Sequence, residues 1–291
     1  MIYTYKNIDL NLAKLNITGV SGKAVATKSQ EYFCQNLTLD LSTSLQPVFS
    51  IGSKFVEDYA ATDGIKGSLK ISYYLTGEDL LRDFFSDDKA EVSGNLAGLT
   101  FAKGRVLNYS LDASPNTPII VSTEIVFFDQ LSGQFTPVFK EAPSIDVFNY
   151  YNTFVDNLST GVLGKDINVF RFNYSFSSDI TPVYKIESGI GPSIPEDINI
   201  SKKQASFTFD TDTVTGILPF SGQKAEIKVN LKNFTGLIVD TIRITGNISQ
   251  KSLGTSVDQI INNKITILQS NVAHKTPLNA AISFTGMVKT N

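Results

Sequence analysis

Apolar and polar residues alternate along most of this chain. Leu37, Leu39 and Leu41 alternate in QNLTLDLS, Leu69, Ile71 and Tyr73 in GSLKISYY, Leu107, Tyr109 and Leu111 in RVLNYSL, and Val121, Ile125 and Phe127 in VSTEIVFF. The pattern returns later with Phe170, Phe172, Tyr174 and Phe176, then Phe207 and Phe209, then Ile227, Val229 and Leu231, then Ile242 and Ile244. A period of two places every second side chain on one face of a strand. So many short strands predict a mainly β fold built as a sandwich or barrel. Helical spacing is confined to three segments. In TGEDLLRDFFSDD the pairs Leu80/Leu81 and Phe84/Phe85 fall four apart behind Thr76, with Asp79 three residues on. Between Ser144 and Gly161, Phe148, Tyr151, Val155 and Leu158 share one face, with Ser144 as cap and Gly161 as stop. A third short helix is expected at Ser256–Asn262, with Val257, Ile260 and Ile261 inward.

The chain also repeats itself. LQPVFSIGS (45–53) aligns with ITPVYKIES (180–188), the shared positions being Pro47/Pro182, Val48/Val183, Ile51/Ile186 and Ser53/Ser188. Leu37, Leu39 and Leu41 precede the first copy as Phe172, Tyr174 and Phe176 precede the second. Ile71 and Tyr73 then match Phe207 and Phe209, Leu107–Leu111 match Ile227–Leu231, and Val121–Phe127 match Ile242–Ile248. A colinear order of matched strands is the mark of a duplicated unit. Two tandem β-sandwich or barrel domains of similar topology follow, each with a short flanking helix: 1–142, a connecting helix over 143–164, and 165–291. The later matches need a smaller offset, so the first domain is expected to carry an acidic helical insertion at 76–91.

Composition narrows the function. Apolar residues are 42% and charged residues 18%, with no long apolar run, so a globular chain without a membrane span is expected. Low charge suits a surface covered by neighbouring subunits. The start, MIYTYKNIDLNLAKL, lacks a basic region followed by an apolar core, so no secretory leader is expected. A lone Cys34 excludes an internal disulfide, and a lone His274 with no Gly-x-Ser-x-Gly setting argues against nucleophilic catalysis. Asp87/Asp88 with Glu91, and Asp210 with Asp212, lack the spacing of a calcium loop, and GVSG and GIGPS lie among strands rather than between strand and helix. Neither a metal, a cofactor nor an enzymatic activity is expected. Charge is unevenly spread: residues 1–150 hold 12 basic and 17 acidic side chains, residues 151–291 hold 13 and 11. No basic cluster with aromatics suggests sequence-specific nucleic-acid reading.

An alternating strand leading into LQPVFSIGS and then GSLKISYY resembles the tail-tube proteins of long-tailed bacteriophages, in which such a strand runs into a Pro-Val-aromatic-x-Ile/Leu-Gly segment. The second copy is similar but has Glu187 where the first has Gly52. GSLKISYYLTGEDLLRDFF and IVFFDQLSGQFTP are likewise similar to segments of phage virion proteins. The resemblance covers about residues 30–135 and 168–270. It implies a virion protein, assembled in the host cytoplasm, whose subunits stack as rings of three or six around a channel that genomic DNA crosses as non-specific cargo. Other tail proteins would be its partners. Another tail, baseplate or capsid decoration protein is the alternative in the same class, and a carbohydrate-binding or adhesive β-sandwich module the alternative outside it. The segment 78–91 has a net charge of −4 and carries apolar pairs. Leu80, Leu81, Phe84 and Phe85, with Asp83, Asp87 and Asp88, are therefore candidate contacts to another subunit presenting Lys or Arg.

Overall fold

The alternating segments form strands in the computed structural model, which describes residues 6–8, 10–18, 23–52, 54–61, 64–85, 90–137, 139–141, 147–148, 155–161, 169–184, 194–211, 223–232, 237–254, 262–269 and 282–284. The N-terminal half contains β1 (Lys6–Ile8), β2 (Leu10–Thr18), β3 (Lys23–Tyr32), β4 (Cys34–Ser42), β5 (Leu45–Val48), β6 (Asp58–Ala61) and β7 (Lys66–Tyr74). A 3₁₀ helix at Leu80–Phe85 leads to β8 (Ala90–Leu96), β9 (Leu99–Ala113), β10 (Ile120–Phe127), β11 (Ser132–Gly133) and β12 (Phe139–Glu141). The C-terminal half contains β13 (Val155–Gly161), β14 (Val169–Val183), β15 (Asp197–Thr211), β16 (Lys224–Lys232), β17 (Ile238–Gly254), β18 (Asn262–Gln269) and β19 (Ile282–Phe284). The fold is mainly β and its ladders are antiparallel.

Apart from β3, which pairs along β2 and has no counterpart among the described residues of the second half, strand order is the same in the two halves. Neighbours run β2-β8-β9-β10-β7-β4 in the first and β13-β16-β17-β18-β15-β14 in the second. β9 and β17 are the long strands that change partner midway. β9 pairs with β8 through Leu99–Gly104 and with β10 through Arg105–Asp112; β17 pairs with β16 through Ile238–Asn247 and with β18 through Gly246–Gly254. A glycine sits at each change. A Cβ on Gly104 would lie 2.8 Å from the Val92 carbonyl oxygen, and one on Gly246 would lie 2.0 Å from that of Leu268. Only glycine permits such close approach of neighbouring backbones.

Setting Gly104 on Gly246 places Ser110 on Ser252. The ladder row Ser110-Ser122-Ser72-Asn36 then falls on Ser252-Lys264-Asp210-Arg171. The walk ends on the shift from Asn36 to Arg171, the same shift of 135 that sets LQPVFSIGS on ITPVYKIES.

This placement corrects the later strand matches. β9, with Leu107–Leu111, occupies the position of β17 and not of β16, and β10 occupies that of β18. Alternation has a period of two whatever the strand, so it cannot tell β16 from β17; the length and the glycine kink can. The supposed insertion disappears too, because residues 75–89 join β7 to β8 as residues 212–223 join β15 to β16.

The helix expected over 143–164 is contradicted in its second part. Val155–Gly161 is a strand on β16, pairing Val155 with Leu231 and Leu158 with Lys228. An available strand edge outweighs a helical spacing that rests on four side chains. The remainder of that segment, apart from residues 147–148, and the helix expected at Ser256–Asn262, apart from Asn262 at the start of β18, lie outside the described residues.

One apolar core runs through both halves. Leu10, Leu12, Val92 and Leu96 of the β2–β8 layer, with Leu69, Ile71, Ile125 and Phe127 of the β7–β10 layer, belong to the same buried cluster as Phe207, Phe209, Ile227, Val229 and Ile244. The sheet is equally continuous, because β14 of the second half pairs with β9 of the first.

Candidate assembly interface

The joint between the halves is the best-developed contact surface in the molecule. Its backbone component is the β14–β9 ladder from Phe172↔Ala113 to Ser177↔Asn108. Inward-facing aromatics reinforce it: Tyr109 stacks on Phe176 with centroids 5.1 Å apart, and Tyr174 lies 6.1 Å from Tyr109. Offset ring pairs add to plain burial. On the other face Asn173 donates to Ser110 at 3.0 Å and Arg171 meets Asp112 at 3.4 Å. The far end of the β14–β15 hairpin also crosses to the first half, where Ile180 and Ile198 cover Leu107, Val126 and Phe128.

The acidic segment belongs to this joint. Leu80, Leu81, Phe84 and Phe85 are buried within the chain itself, so in place of the expected docking on another subunit the turn lies between β3 and β9 of its own half and side chains of the second half. Phe85 lies 5.1 Å from Phe176, and the Lys203 ammonium donates to the Phe84 and Phe85 carbonyls at 3.0 Å each. A cation there completes the unsatisfied carbonyl end of the helical turn. Arg82 forms a 2.5 Å ion pair with Asp240 of β17, both buried. Burial works against the charge on Arg82, but Asp240, with Tyr109 and Asp79, more than offsets it and the guanidinium stays charged. Burial pushes the Asp240 carboxyl up, with Arg82 opposing.

Asp79 is buried. Its carboxylate accepts the hydroxyls of Tyr73 at 2.6 Å, Tyr109 at 2.8 Å and Tyr32 at 3.1 Å, and the Leu81 amide at 3.1 Å, which caps the helical turn. Burial, and then the Asp79 charge, raise all three tyrosines well above their ordinary range, which keeps them as donors. Asp83 is half-buried and its carboxyl is raised by burial, against the pull of Lys28, Arg82 and Lys14. Asp87 and Asp88 lie outside the described residues.

Reading the charges as surface features missed Asp79, Arg82 and Asp240. A visible signal was the position of Asp79 between the polar GE and apolar LL pairs, where a cap is expected.

The repeat motif falls in the distal hairpins. Pro47 and Val48 pair with Tyr59 and Asp58, while Pro182 and Val183 pair with Ile198 and Asp197. Ile51 is fully exposed at the tip of the first. Ser53, Ile186 and Ser188 lie outside the described residues.

A polar face spans the joint. The row Asn36-Ser72-Ser122-Ser110-Ser175-Ser206 takes one residue from each of six strands and passes from the first half to the second without a break. A groove of about 670 Å³ follows it. Its charges are largely internal: Glu124 accepts from Ser68 at 2.9 Å and Asn108 at 3.1 Å, with Lys70 3.7 Å away. No family model and no curated protein matches this chain.

Proposed function

We propose that the chain is a virion structural protein of a long-tailed bacteriophage, a tail-tube subunit that assembles with itself into stacked rings around a DNA channel, and that it arose by duplication of one β-domain. The observation that carries this reading is the β14–β9 joint. Two halves of like strand order are joined edge to edge into one sheet, so a single chain already presents two consecutive units of a ring. Three chains would give six such units. The hydroxyl- and amide-rich face would line the channel, where small neutral groups and internally matched charges offer DNA phosphates little to hold. The buried ionisable groups support structure rather than catalysis, since Asp79 is occupied by tyrosines and Arg82 by Asp240.

Negative-stain microscopy of the purified full chain, alone and with other tail proteins of the same virion, tests the reading. Rings or cylinders are the expected result. Monomers alone at tens of micromolar by mass photometry, in both conditions, overturn it.

The groove also favours a second reading, a glycan-binding module, because a polar trough on a sheet face can bind sugar hydroxyls. Saturable binding of a glycan by monomeric protein would support that reading against the first.

A further inference from the structure

The two halves differ in which of their edges are covered. At residues 108–113 β9 has a neighbour on each side, β10 and β14. Its counterpart in β17 at the shift of 142, described over residues 250–254, has only β18 among the described residues. The same holds at the other end of the sheet. β14 lies between β15 and β9, while its counterpart β4 pairs only with β7 among the described residues. Unpaired backbone donors and acceptors along a regular strand form a template for another strand.

The apolar surface is unequal in the same sense. Ile180 and Ile198 of the β14–β15 hairpin are packed against Leu107, Val126 and Phe128 of the other half. In the corresponding β5–β6 hairpin Leu45 is 58% exposed and Ile51 wholly exposed, whereas Val48 at 43% is no more exposed than its counterpart Val183 at 45%. Leu45 and Val48 stand where Ile180 and Val183 stand at the shift of 135, and Leu268 stands where Val126 stands at the shift of 142. Among the described residues, components of the internal joint thus recur without a strand partner: an edge of β17, an edge of β4 and, beside the latter, an apolar hairpin.

Resting on the self-assembly reading, we infer that the partner of β4 and the β5–β6 hairpin is a second copy of this chain, joined head to tail through the β17 edge in the register of the internal joint. Ser175 faces Ser110 within the chain. Asp40 and Ser252 are their counterparts and face each other between chains, flanked by Thr38 with Gly254 and Ser42 with Gln250. Leu39 and Leu41 lie on the opposite face of β4. The contact is heterologous, so its repetition builds a ring where the rotation closes and an open filament where it does not.

Cysteine cross-linking tests the register. Asp40 and Ser252 are exposed, so Asp40→Cys with Ser252→Cys, in a Cys34→Ser background, should leave the fold intact. Opposed residues fall within disulfide reach, and mild oxidation should give a ladder of covalent multimers. Each single variant should give little. A second variant keeps the test independent of cysteine geometry. Leu45→Asp with Val48→Asp should raise the concentration for half-assembly at least about 10-fold, the effect of losing apolar anchors at a contact, with an unchanged circular dichroism spectrum. Assemblies that form without cross-linking at 40/252 and tolerate the Leu45/Val48 change would overturn this joint and leave the self-assembly reading standing. Monomers under all conditions would overturn both.

Discussion

The β14–β15 and β5–β6 hairpins show what a strand pattern does and does not determine. Both begin from an alternating strand, both carry Pro-Val at the same place, and both extend beyond the sheet. One places its isoleucines under the other half of the molecule, and the other leaves Leu45 and Ile51 in solvent. Composition is therefore not what separates an exposed apolar surface from a buried one here. The neighbour is, and among the described residues the chain supplies that neighbour to its second half alone.

The strongest way to break the comparison is to break the joint that covers the second half. Arg82→Met leaves Asp240 buried without its cation, and stability should fall by about 3–5 kcal/mol. Asp240→Leu should cost about as much. The double variant should recover most of the loss, because neither charge then has to be desolvated. Chemical denaturation of the four proteins measures the cycle. Additive losses would show that the pair does not pin the halves together.

A middle-sized effect separates the hairpins directly. Ile180→Ala with Ile198→Ala removes apolar packing on Leu107, Val126 and Phe128, a loss of about 2 kcal/mol in the isolated chain. Leu45→Ala with Val48→Ala removes side chains that touch mostly water, and should stay within about 0.5 kcal/mol. Equal losses in a monomeric sample would mean that β5–β6 is packed as β14–β15 is.

How much of this was legible depended on what repeats at a period of two. The mainly β class followed from alternation, and Pro47 and Pro182 each lie in a hairpin, opposite Tyr59 and Ile198. The later strands could not be placed that way. Leu107–Leu111 and Ile227–Leu231 alternate equally well, yet one belongs to the bent central strand and the other to its neighbour. KGRV (103–106) against TGNI (245–248) was the informative match, since a glycine inside a strand marks a kink or a close approach. The acidic segment was misread for a different reason. Its carboxylates were counted as one charge density, whereas Asp79 is satisfied by three hydroxyls from β3, β7 and β9. Such partners come from distant parts of the chain, and no local pattern announces them. TGEDLLRDFFS also has a shorter analogue in TGILPFS (215–221), at the same place in strand order, which argues on sequence alone against an insertion.

The smallest effect probes how far the free edge of β4 extends. Cys34 opens that strand, paired opposite Tyr73, and burial pushes its thiol up to about 12. A raised pKa means that ionisation is resisted by the folded state. Its contribution to stability is present below the unfolded value of 9.0 and is lost as pH rises through about 12. At pH 8 the thiolate fraction falls about 1,000-fold relative to the unfolded chain, while the greater intrinsic nucleophilicity of a weaker acid recovers part of it. Alkylation should be slower by roughly 30-fold in the native protein. Its rate should keep rising between pH 9 and 11, where the unfolded chain levels off. Fast labelling with a plateau near pH 9 would show that the start of β4 is loose, and would confine the strand offered to a second copy to the residues from Leu37 onward.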